Sequence, residues 1–183
     1  MRLFLCYNTY MIYRIDINDF DEVYELFENS FPVAELRPYN KMKDYFKEDK
    51  LIIYAIKESD LIVMGLLCWE FHDFIFLENF AVHPKYRGKG IGTITLQEIK
   101  KKYNKLIVLE VEEPYDLISK KRIGFYERNE FNLSEYGYNQ PPLNPCKNTI
   151  PLRIMSTPYL INKHEFETIK LNIFKEVYQK NLE

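Results

Sequence analysis

Three of the six glycines in the chain stand at alternate positions, Gly88, Gly90 and Gly92. They follow an apolar, strand-like run and precede a stretch whose apolar residues have helical spacing. A glycine-rich turn that opens a helix presents several backbone N–H groups to an anion, and the helix dipole favours negative charge there. Arg87 and Lys89 add positive charge to the same turn. The segment therefore predicts a site for a phosphate or a diphosphate.

The spacing of these glycines excludes two common phosphate-binding patterns. The chain has no Gly-Lys-Ser or Gly-Lys-Thr triplet, which a P-loop requires. The glycines have the spacing GxGxG, whereas a dinucleotide-binding turn has GxGxxG. The residues alone leave two alternatives open: a turn whose glycines only begin a helix, and an enzyme that uses the turn to bind a nucleotide phosphate.

The elements around this turn predict a mixed α/β domain. Apolar runs over 51–56 and 61–69 flank a short polar turn and predict a β-hairpin, which a third run over 74–82 extends to an antiparallel meander. A strand over 106–111 follows the helix, and such a strand–helix–strand unit predicts a parallel pair. Further strands near 10–15, 131 and 152–156, helices that start near 18, 38 and 117, and a C-terminal helix over about 162–180 complete the pattern.

The composition indicates a soluble protein with a single domain over residues 1–183. A net charge of -2 argues against a nucleic acid or an anionic membrane as partner. No run approaches the roughly 18–20 apolar residues that span a bilayer. The three cysteines, Cys6, Cys68 and Cys146, show neither a disulfide pattern nor metal-ligand spacing. We therefore expect a cytoplasmic protein without a metal.

Two segments resemble motifs of the GNAT superfamily of acyl-CoA-dependent N-acyltransferases. Leu77–Thr93 resembles its acetyl-CoA motif, since Arg87–Gly92 matches the pattern of Arg or Gln, two residues, Gly, one residue, then Gly or Ala. Arg122–Phe131 resembles a downstream motif, although Glu130 stands where the family commonly has glycine. The resemblance covers about residues 10–158. It implies a central mixed, mostly antiparallel sheet of about seven strands, with a splayed parallel pair and flanking helices.

The resemblance implies that acetyl-CoA, the acetyl donor, is bound by two parts of the chain. Its diphosphate is expected on the amides of the glycine turn, and its pantetheine arm along the backbone of Phe80 to Val82. There the Phe80 N–H would polarise the thioester carbonyl. Ser119 replaces an asparagine that contacts the cofactor in many members. The expected cofactor-binding residues are Phe80, Ala81, Val82, Arg87, Gly88, Lys89, Gly90, Ile91, Gly92, Thr93 and Ser119.

Two proton transfers need side chains. Tyr126 matches the family's tyrosine that protonates the leaving thiolate, a role that suits a phenol with a reference pKa of about 10. Glu78 stands two residues before Phe80, on the same face of a regular strand, and is expected to deprotonate the amine directly or through water. Glu110, on the parallel strand, is the competing base. The alternative roles for Glu78 are an ion pair with a nearby Lys or Arg and the binding of a cationic group of the substrate.

Together these features predict an N-acetyltransferase that moves an acetyl group from acetyl-CoA to a primary amine of a small molecule or peptide by direct attack. The alternative is a non-catalytic acyl-CoA-binding or sensing module on the same fold. The need to cover edge strands is compatible with a homodimer. The sequence leaves open the acceptor amine, the general base, the length of the acyl group and the oligomeric state.

Overall fold

The computed structural model of the chain describes residues 10–143 and 149–180. Within these residues it contains seven strands and five α-helices. The strands are β1 Tyr13–Arg14, β2 Ile52–Glu58, β3 Leu61–Glu70, β4 Phe74–Val82, β5 Leu106–Glu112, β6 Asn132–Gln140 and β7 Ile150–Thr157. The helices are α1 Phe20–Glu28, α2 Tyr39–Lys47, α3 Ile91–Lys102, α4 Leu117–Arg128 and α5 Lys163–Asn172, with a 3-10 turn at Pro84–Tyr86 and a π-helical turn at Ile173–Val177.

These strands form one sheet, in the order β1-β2-β3-β4-β5-β7-β6. Strands β2, β3 and β4 are the predicted antiparallel meander, and β5 pairs parallel to β4 after the crossover through α3. Strand β7 joins β5 antiparallel, and β6 pairs with β7. The predicted sheet of about seven strands with one parallel pair is confirmed. The first strand is shorter than predicted, because the run over 10–15 contributes only Tyr13 and Arg14 to the sheet.

Helices cover both faces of the sheet because its central strands are apolar on both sides. Phe76 of β4 and Val108 of β5 pack in one buried cluster with residues of α1, α2 and α5. Their neighbours Ile75 and Ile107 pack in a second cluster with residues of α3 and α4. We call these the α1/α2/α5 face and the α3/α4 face. The sheet thus separates two layers of helices, and the site described below reaches both.

A β-bulge in β4 interrupts the alternation of its faces. Cys68 of β3 pairs with Leu77, but the adjacent Leu67 pairs with Asn79, so Glu78 is an extra residue on β4. A one-residue bulge moves every later side chain to the face opposite the one that simple alternation predicts.

Strands β4 and β5 separate at their carboxyl ends. Their pairing covers Phe74–Leu77 and Leu106–Leu109, whereas the strands continue to Val82 and Glu112. The end of β5 keeps its partners on β7, so the gap opens on its β4 side. The expected splayed pair is confirmed, and it leaves a slot between the two strands.

The C-terminal helix begins where the sequence predicts. The side chain of Asn162 accepts a hydrogen bond from the Glu165 N–H at 3.0 Å, and the Glu165 carboxylate accepts one from the Asn162 N–H at 2.8 Å. This reciprocal capping box satisfies two amides that the first turn leaves without helical partners. The helix then changes into the π-helical turn at Ile173–Val177.

Several sequence expectations concern residues outside the described part of the chain. Cys6 and Cys146 lie there, as does the segment 144–148 of the proline-rich loop. Cys68 is described and is a buried free thiol. Over 10–143 and 149–180, none of the helices has the length and apolar character needed to cross a membrane. The same residues hold no group of His, Cys, Asp and Glu side chains that could bind a metal ion.

Candidate active site

A cavity of about 440 Å³ opens at the slot between β4 and β5. It is lined by Phe80, Ala81, Val82, Arg87, Tyr126 and both candidate bases, Glu78 and Glu110. The segment between α1 and α2, the first turns of α4, and β6 and β7 form the remaining walls. Residues that are far apart in the sequence therefore meet at the point where the parallel strands separate.

The backbone of β4 turns two amides toward this slot. The N–H of His83, just after the strand, donates to Val63 O of β3 at 2.9 Å. Because successive N–H groups of a strand alternate in direction, those of Phe80 and Val82 point away from β3. The carbonyl of Val82 is also turned away from β3, since it accepts a hydrogen bond from Arg87 Nε at 3.0 Å. The slot therefore offers the backbone donors that the sequence analysis expected at Phe80 to Val82.

The glycine turn has a conformation that side chains disfavour. Gly88 and Gly90 have φ angles of +75° and +80°, and Gly90 is the N-cap of α3. A Cβ added at either position would meet nothing within 4 Å, so the backbone conformation, and not lack of space, favours glycine. The amides of Ile91, Gly92 and Thr93 follow in the first turn, where a helix provides no carbonyl partners. An open turn with these donors fits a diphosphate.

The third glycine has a different role. A Cβ at Gly92 would lie 2.9 Å from Phe125 Cζ, so the missing side chain permits close packing of α3 against α4. The GxGxG pattern thus combines two positive φ angles with one close contact between helices.

Ser119 is engaged in a local contact. Its hydroxyl bonds with Asp116 in a capping box at the start of α4, donating to Asp116 Oδ1 at 3.0 Å or to Asp116 O at 3.1 Å and accepting from the Asp116 N–H at 3.2 Å. The side chain is buried beside Ile118, which lines the cavity. The contact between Ser119 and the cofactor stays a prediction, and the structure gives this hydroxyl a capping role.

Tyr126 is positioned by the end of α4. The N–H of Phe131 donates to Tyr126 O at 3.0 Å and that of Glu130 to Glu127 O at 2.9 Å, which is the Schellman motif of a helix C-terminus. Glu130 has a φ of +65°, so it adopts the left-handed conformation that the family's glycine favours. The rings of Tyr126 and Phe131 pack with centroids 5.6 Å apart. Burial raises the pKa of Tyr126 to about 12, which keeps the phenol protonated.

Glu78 does not share a face with Phe80, so that expectation was wrong. Phe80 packs against the cluster of the α3/α4 face, whereas Glu78 contacts Trp69 of the α1/α2/α5 cluster. The bulge at Glu78 is the physical reason, because it adds a residue to the strand between the two side chains. Sequence spacing carries no signal for such an insertion.

The carboxylate of Glu78 already has strong partners. It accepts hydrogen bonds from Arg37 Nη2 at 2.9 Å and from Trp69 Nε1 at 2.5 Å. The Arg37 and Glu78 side chains are only 1% and 5% exposed. Glu78 therefore forms the ion pair that the sequence analysis considered as the alternative to its role as a base.

Arg37 was not identified from the sequence as part of the site. Besides Glu78, it donates to Val177 O in the π-helical turn at 3.1 Å, and its guanidinium lies 5.2 Å from the ring centroid of Tyr45 and 5.4 Å from that of Trp69. An arginine next to the proline that opens α2 has no sequence feature that predicts burial.

Glu110 has the properties of a proton acceptor. It lies on β5 and accepts hydrogen bonds from the hydroxyl of Tyr138 on β6 and from that of Tyr178, the latter at 2.6 Å. Burial raises the pKa of Glu110 to about 7, assisted by the charge of Glu78 and opposed by the two phenol hydrogen bonds. The carboxyl is thus poised to change its protonation state near neutral pH. The two tyrosines were not found from the sequence, because aromatic residues on a strand or a helix usually indicate packing.

Comparisons with known proteins agree with this architecture. The family model described as acetyltransferase (GNAT) family matches residues 20–131. A protein of Bacillus subtilis (strain 168), named "Putative acetyltransferase YjbC", is 31% identical over 159 residues, which are 85% of this chain and 79% of that protein.

Solved structures show the same fold. A GNAT-family protein from Bacteroides thetaiotaomicron is 30% identical and superposes with a TM-score of 0.86, over 93% of this chain and 99% of that one. Arabidopsis thaliana Naa50, in complex with the bisubstrate analogue CoA-Ac-MVNAL, is 16% identical with a TM-score of 0.63, over 81% of this chain and 98% of that one.

Proposed function

Because this chain belongs to the GNAT acetyltransferase family, we propose that it transfers an acetyl group from acetyl-CoA to a primary amine of a small molecule or a peptide. The observation that carries this proposal is the slot between β4 and β5, which joins backbone donors, a buried tyrosine and a poised carboxyl in one cavity. The bisubstrate analogue on Naa50 joins CoA to a peptide, which supports an amine acceptor for this fold.

The chain has suitable residues to hold acetyl-CoA, which would supply the acetyl group as a reactive thioester. The amides of Gly90 to Thr93 and the charges of Arg87 and Lys89 would bind the diphosphate. The Phe80 and Val82 amides would pair with the pantetheine arm as an added strand does. A donor held at these points would have its carbonyl in the slot, where the Phe80 N–H would stabilise developing negative charge.

The two proton transfers are assigned to opposite faces of the sheet. Tyr126, on the α3/α4 face, keeps its proton at neutral pH and donates it to the departing sulfur. Glu110, on β5, accepts the proton of the incoming amine. We prefer Glu110 to Glu78 because Glu78 is held by Arg37 and Trp69, whereas the pKa of Glu110 is about 7.

Coenzyme binding and turnover test this proposal. Calorimetry should show binding of acetyl-CoA to the purified protein, and a panel of amines should include some that cause release of the free thiol of CoA. Gly90→Val should weaken coenzyme binding, because valine disfavours the positive φ at this position. Lys120→Val, on the exposed side of α4, is the control for introducing a valine. Gly124→Val is less suitable, because a Cβ at Gly124 would approach Arg128.

The outcomes separate the alternatives. Coenzyme binding without turnover of any amine would favour the non-catalytic sensing module. Binding of ATP or NAD in place of CoA would favour the nucleotide-phosphate enzyme. Full coenzyme affinity in Gly90→Val would contradict the assignment of the diphosphate to the glycine turn.

A further inference from the structure

The acceptor side of the cavity carries more negative than positive charge. Four carboxylates line the cavity, those of Glu35, Glu78, Glu110 and Glu112. Two of them have cationic partners: Glu78 pairs with Arg37 at 2.9 Å, and Glu112 pairs with Arg122 at 2.7 Å. Among the residues that the structure describes, Glu35 and Glu110 have no Lys, Arg or His within ion-pair distance. Within the described part of the chain, the cavity therefore holds two carboxylates that form no ion pair.

These two carboxylates belong to different parts of the cavity. Glu110 is surrounded by Tyr138, Tyr178 and Glu78. Glu35 lies in the segment between α1 and α2; burial and the charge of Glu112 raise its pKa, and the charge of Arg122 opposes them. Glu112, whose charge acts on Glu35, follows Glu110 by two residues on β5, so the Cα atoms of Glu110 and Glu112 lie about 6.6 Å apart along the strand. This is close to the distance between the nitrogens of an extended four-carbon diamine.

A buried amide gives a second, independent indication of a hydrogen-bond donor as ligand. Asn79 lines the same cavity, is only 2% exposed, and its Oδ1 has no hydrogen-bond partner. A buried acceptor without a donor is costly, and a ligand that brings N–H groups removes that cost. A ligand with N–H groups would therefore satisfy Asn79 Oδ1 as well as the unpaired carboxylates.

The walls between the acidic places are apolar. Phe31, which packs against the cluster of the α1/α2/α5 face, and Leu152, the partner of Glu112 in the sheet, line the cavity together with the carboxylates. A methylene chain buries favourably against such side chains. An acceptor with ammonium groups at both ends and an aliphatic middle would match the cavity in charge and in polarity.

We propose that the acceptor is an aliphatic diamine or polyamine, whose reacting amine lies at Glu110 and whose second, permanently protonated amine lies at Glu35. This inference rests on the proposed acetyl transfer. Because Glu35 lies outside the reacting centre, its charge selects the substrate and takes no part in the chemical step.

Three probes of equal chain length test the proposal: putrescine, n-butylamine and γ-aminobutyrate, each assayed with acetyl-CoA by thiol release at pH 8. We expect kcat/KM for putrescine to exceed that for butylamine by roughly tenfold or more, as a partly buried charge pair allows. γ-Aminobutyrate should be the poorest substrate, because its carboxylate would face Glu35 and Glu112.

The variant Glu35→Gln identifies the residue responsible. It should reduce the putrescine-to-butylamine ratio of kcat/KM to near one, whereas Glu98→Gln, on the outer side of α3, should keep the ratio of the parent protein. Equal use of putrescine and butylamine by the parent protein, or an unchanged ratio in Glu35→Gln, would overturn this inference and leave the proposed acetyl transfer standing. Absence of thiol release with these three probes and with every amine of the wider panel would refute both.

Discussion

At the scale of single residues, the site depends on how burial changes the acidity of two side chains. Burial keeps Tyr126 protonated and makes Glu110 a carboxyl that titrates near neutral pH. The same physical effect thus suits Tyr126 to its proposed role as proton donor and Glu110 to its proposed role as proton acceptor. Their positions on the two sides of the slot keep the roles separate.

Tyr126→Phe should lower kcat by about 10²-fold or more, because the departing thiolate loses its proton donor. Affinity for acetyl-CoA should change little, since none of the contacts proposed for the diphosphate and the pantetheine arm involves Tyr126. Tyr103→Phe is a matched control, as Tyr103 is equally buried in the same cluster and its hydroxyl bonds to Tyr54, away from the cavity. Steady-state kinetics and calorimetry measure the two effects. Unchanged kcat in Tyr126→Phe would assign proton donation to another group.

The pH profile of kcat/KM should show an acidic limb near pH 7, with activity lost as Glu110 becomes protonated below that value. The hydrogen bond from Tyr178 stabilises the charged carboxylate and lowers its pKa. Tyr178→Phe should therefore raise the pKa of Glu110 and move the acidic limb to higher pH. Tyr138→Phe should act in the same direction, while the exposed Tyr159→Phe should leave the limb in place. A limb that stays near pH 7 in both Tyr178→Phe and Tyr138→Phe would rule out Glu110 as the base.

At the scale of elements, local sequence signals and tertiary contacts differ in how well they could be predicted. The meander, the crossover to β5 and the capping box of α5 follow from apolar periodicity and cap residues, and all three are present. The bulge at Glu78 could not be predicted, because the apolar pattern on both sides of it is compatible with a regular strand. The regular alternation of side chains along a strand therefore placed Glu78 on the wrong face of the sheet.

The turn between α4 and β6 shows how an element end can tolerate an unfavoured residue. Glu130 has a positive φ in the Schellman motif, where glycine is most stable. Its carboxylate also pairs with Lys100 at 2.5 Å on the surface. Two replacements of Glu130 that both lose the ion pair with Lys100 can be compared to isolate the effect of the positive φ on stability.

Glu130→Gly should be more stable than Glu130→Ala by about 1 kcal/mol, because alanine in the left-handed region is strained and glycine is not. This order is the reverse of the one expected within a helix, where alanine is the better residue. Urea unfolding of the two variants measures the difference. If the alanine variant were equally stable or more stable, the turn would not hold a left-handed residue.

At the scale of the whole molecule, the end of the C-terminal helical segment returns to the candidate active site. Val177 and Tyr178 bond to Arg37 and Glu110, which lie in the first half of the fold and in β5. The sequence predicted a helix in this region but no role in the site, since contacts across 140 and 68 residues leave no periodic signal. The single-domain organisation and a homodimer stay predictions.

The ion pair of Arg37 and Glu78 connects three separate parts of the molecule: the segment before α2, the bulge of β4 and the C-terminal turn. Breaking one partner of a buried pair leaves an uncompensated charge, which costs about 3–5 kcal/mol. Arg37→Met and Glu78→Gln should each lower the free energy of unfolding by about that amount. The double variant should lose no more than either single one, because it contains no unpaired charge. Urea unfolding of the four proteins gives the coupling energy.

The surface pair of Arg14 and Asp49 provides the control for this cycle. Its N–O distance is 2.8 Å, nearly the same as in the buried pair, but its side chains are 51% and 81% exposed. Water screens such a pair, so the cycle of Arg14→Met and Asp49→Asn should give a coupling below about 1 kcal/mol. Equal coupling in the two cycles would show that burial does not strengthen the Arg37–Glu78 pair. If the losses of unfolding free energy in Arg37→Met and Glu78→Gln were additive, the two side chains would not stabilise each other. Glu78 would then have no structural role as an ion-pair partner and would again be a candidate base alongside Glu110.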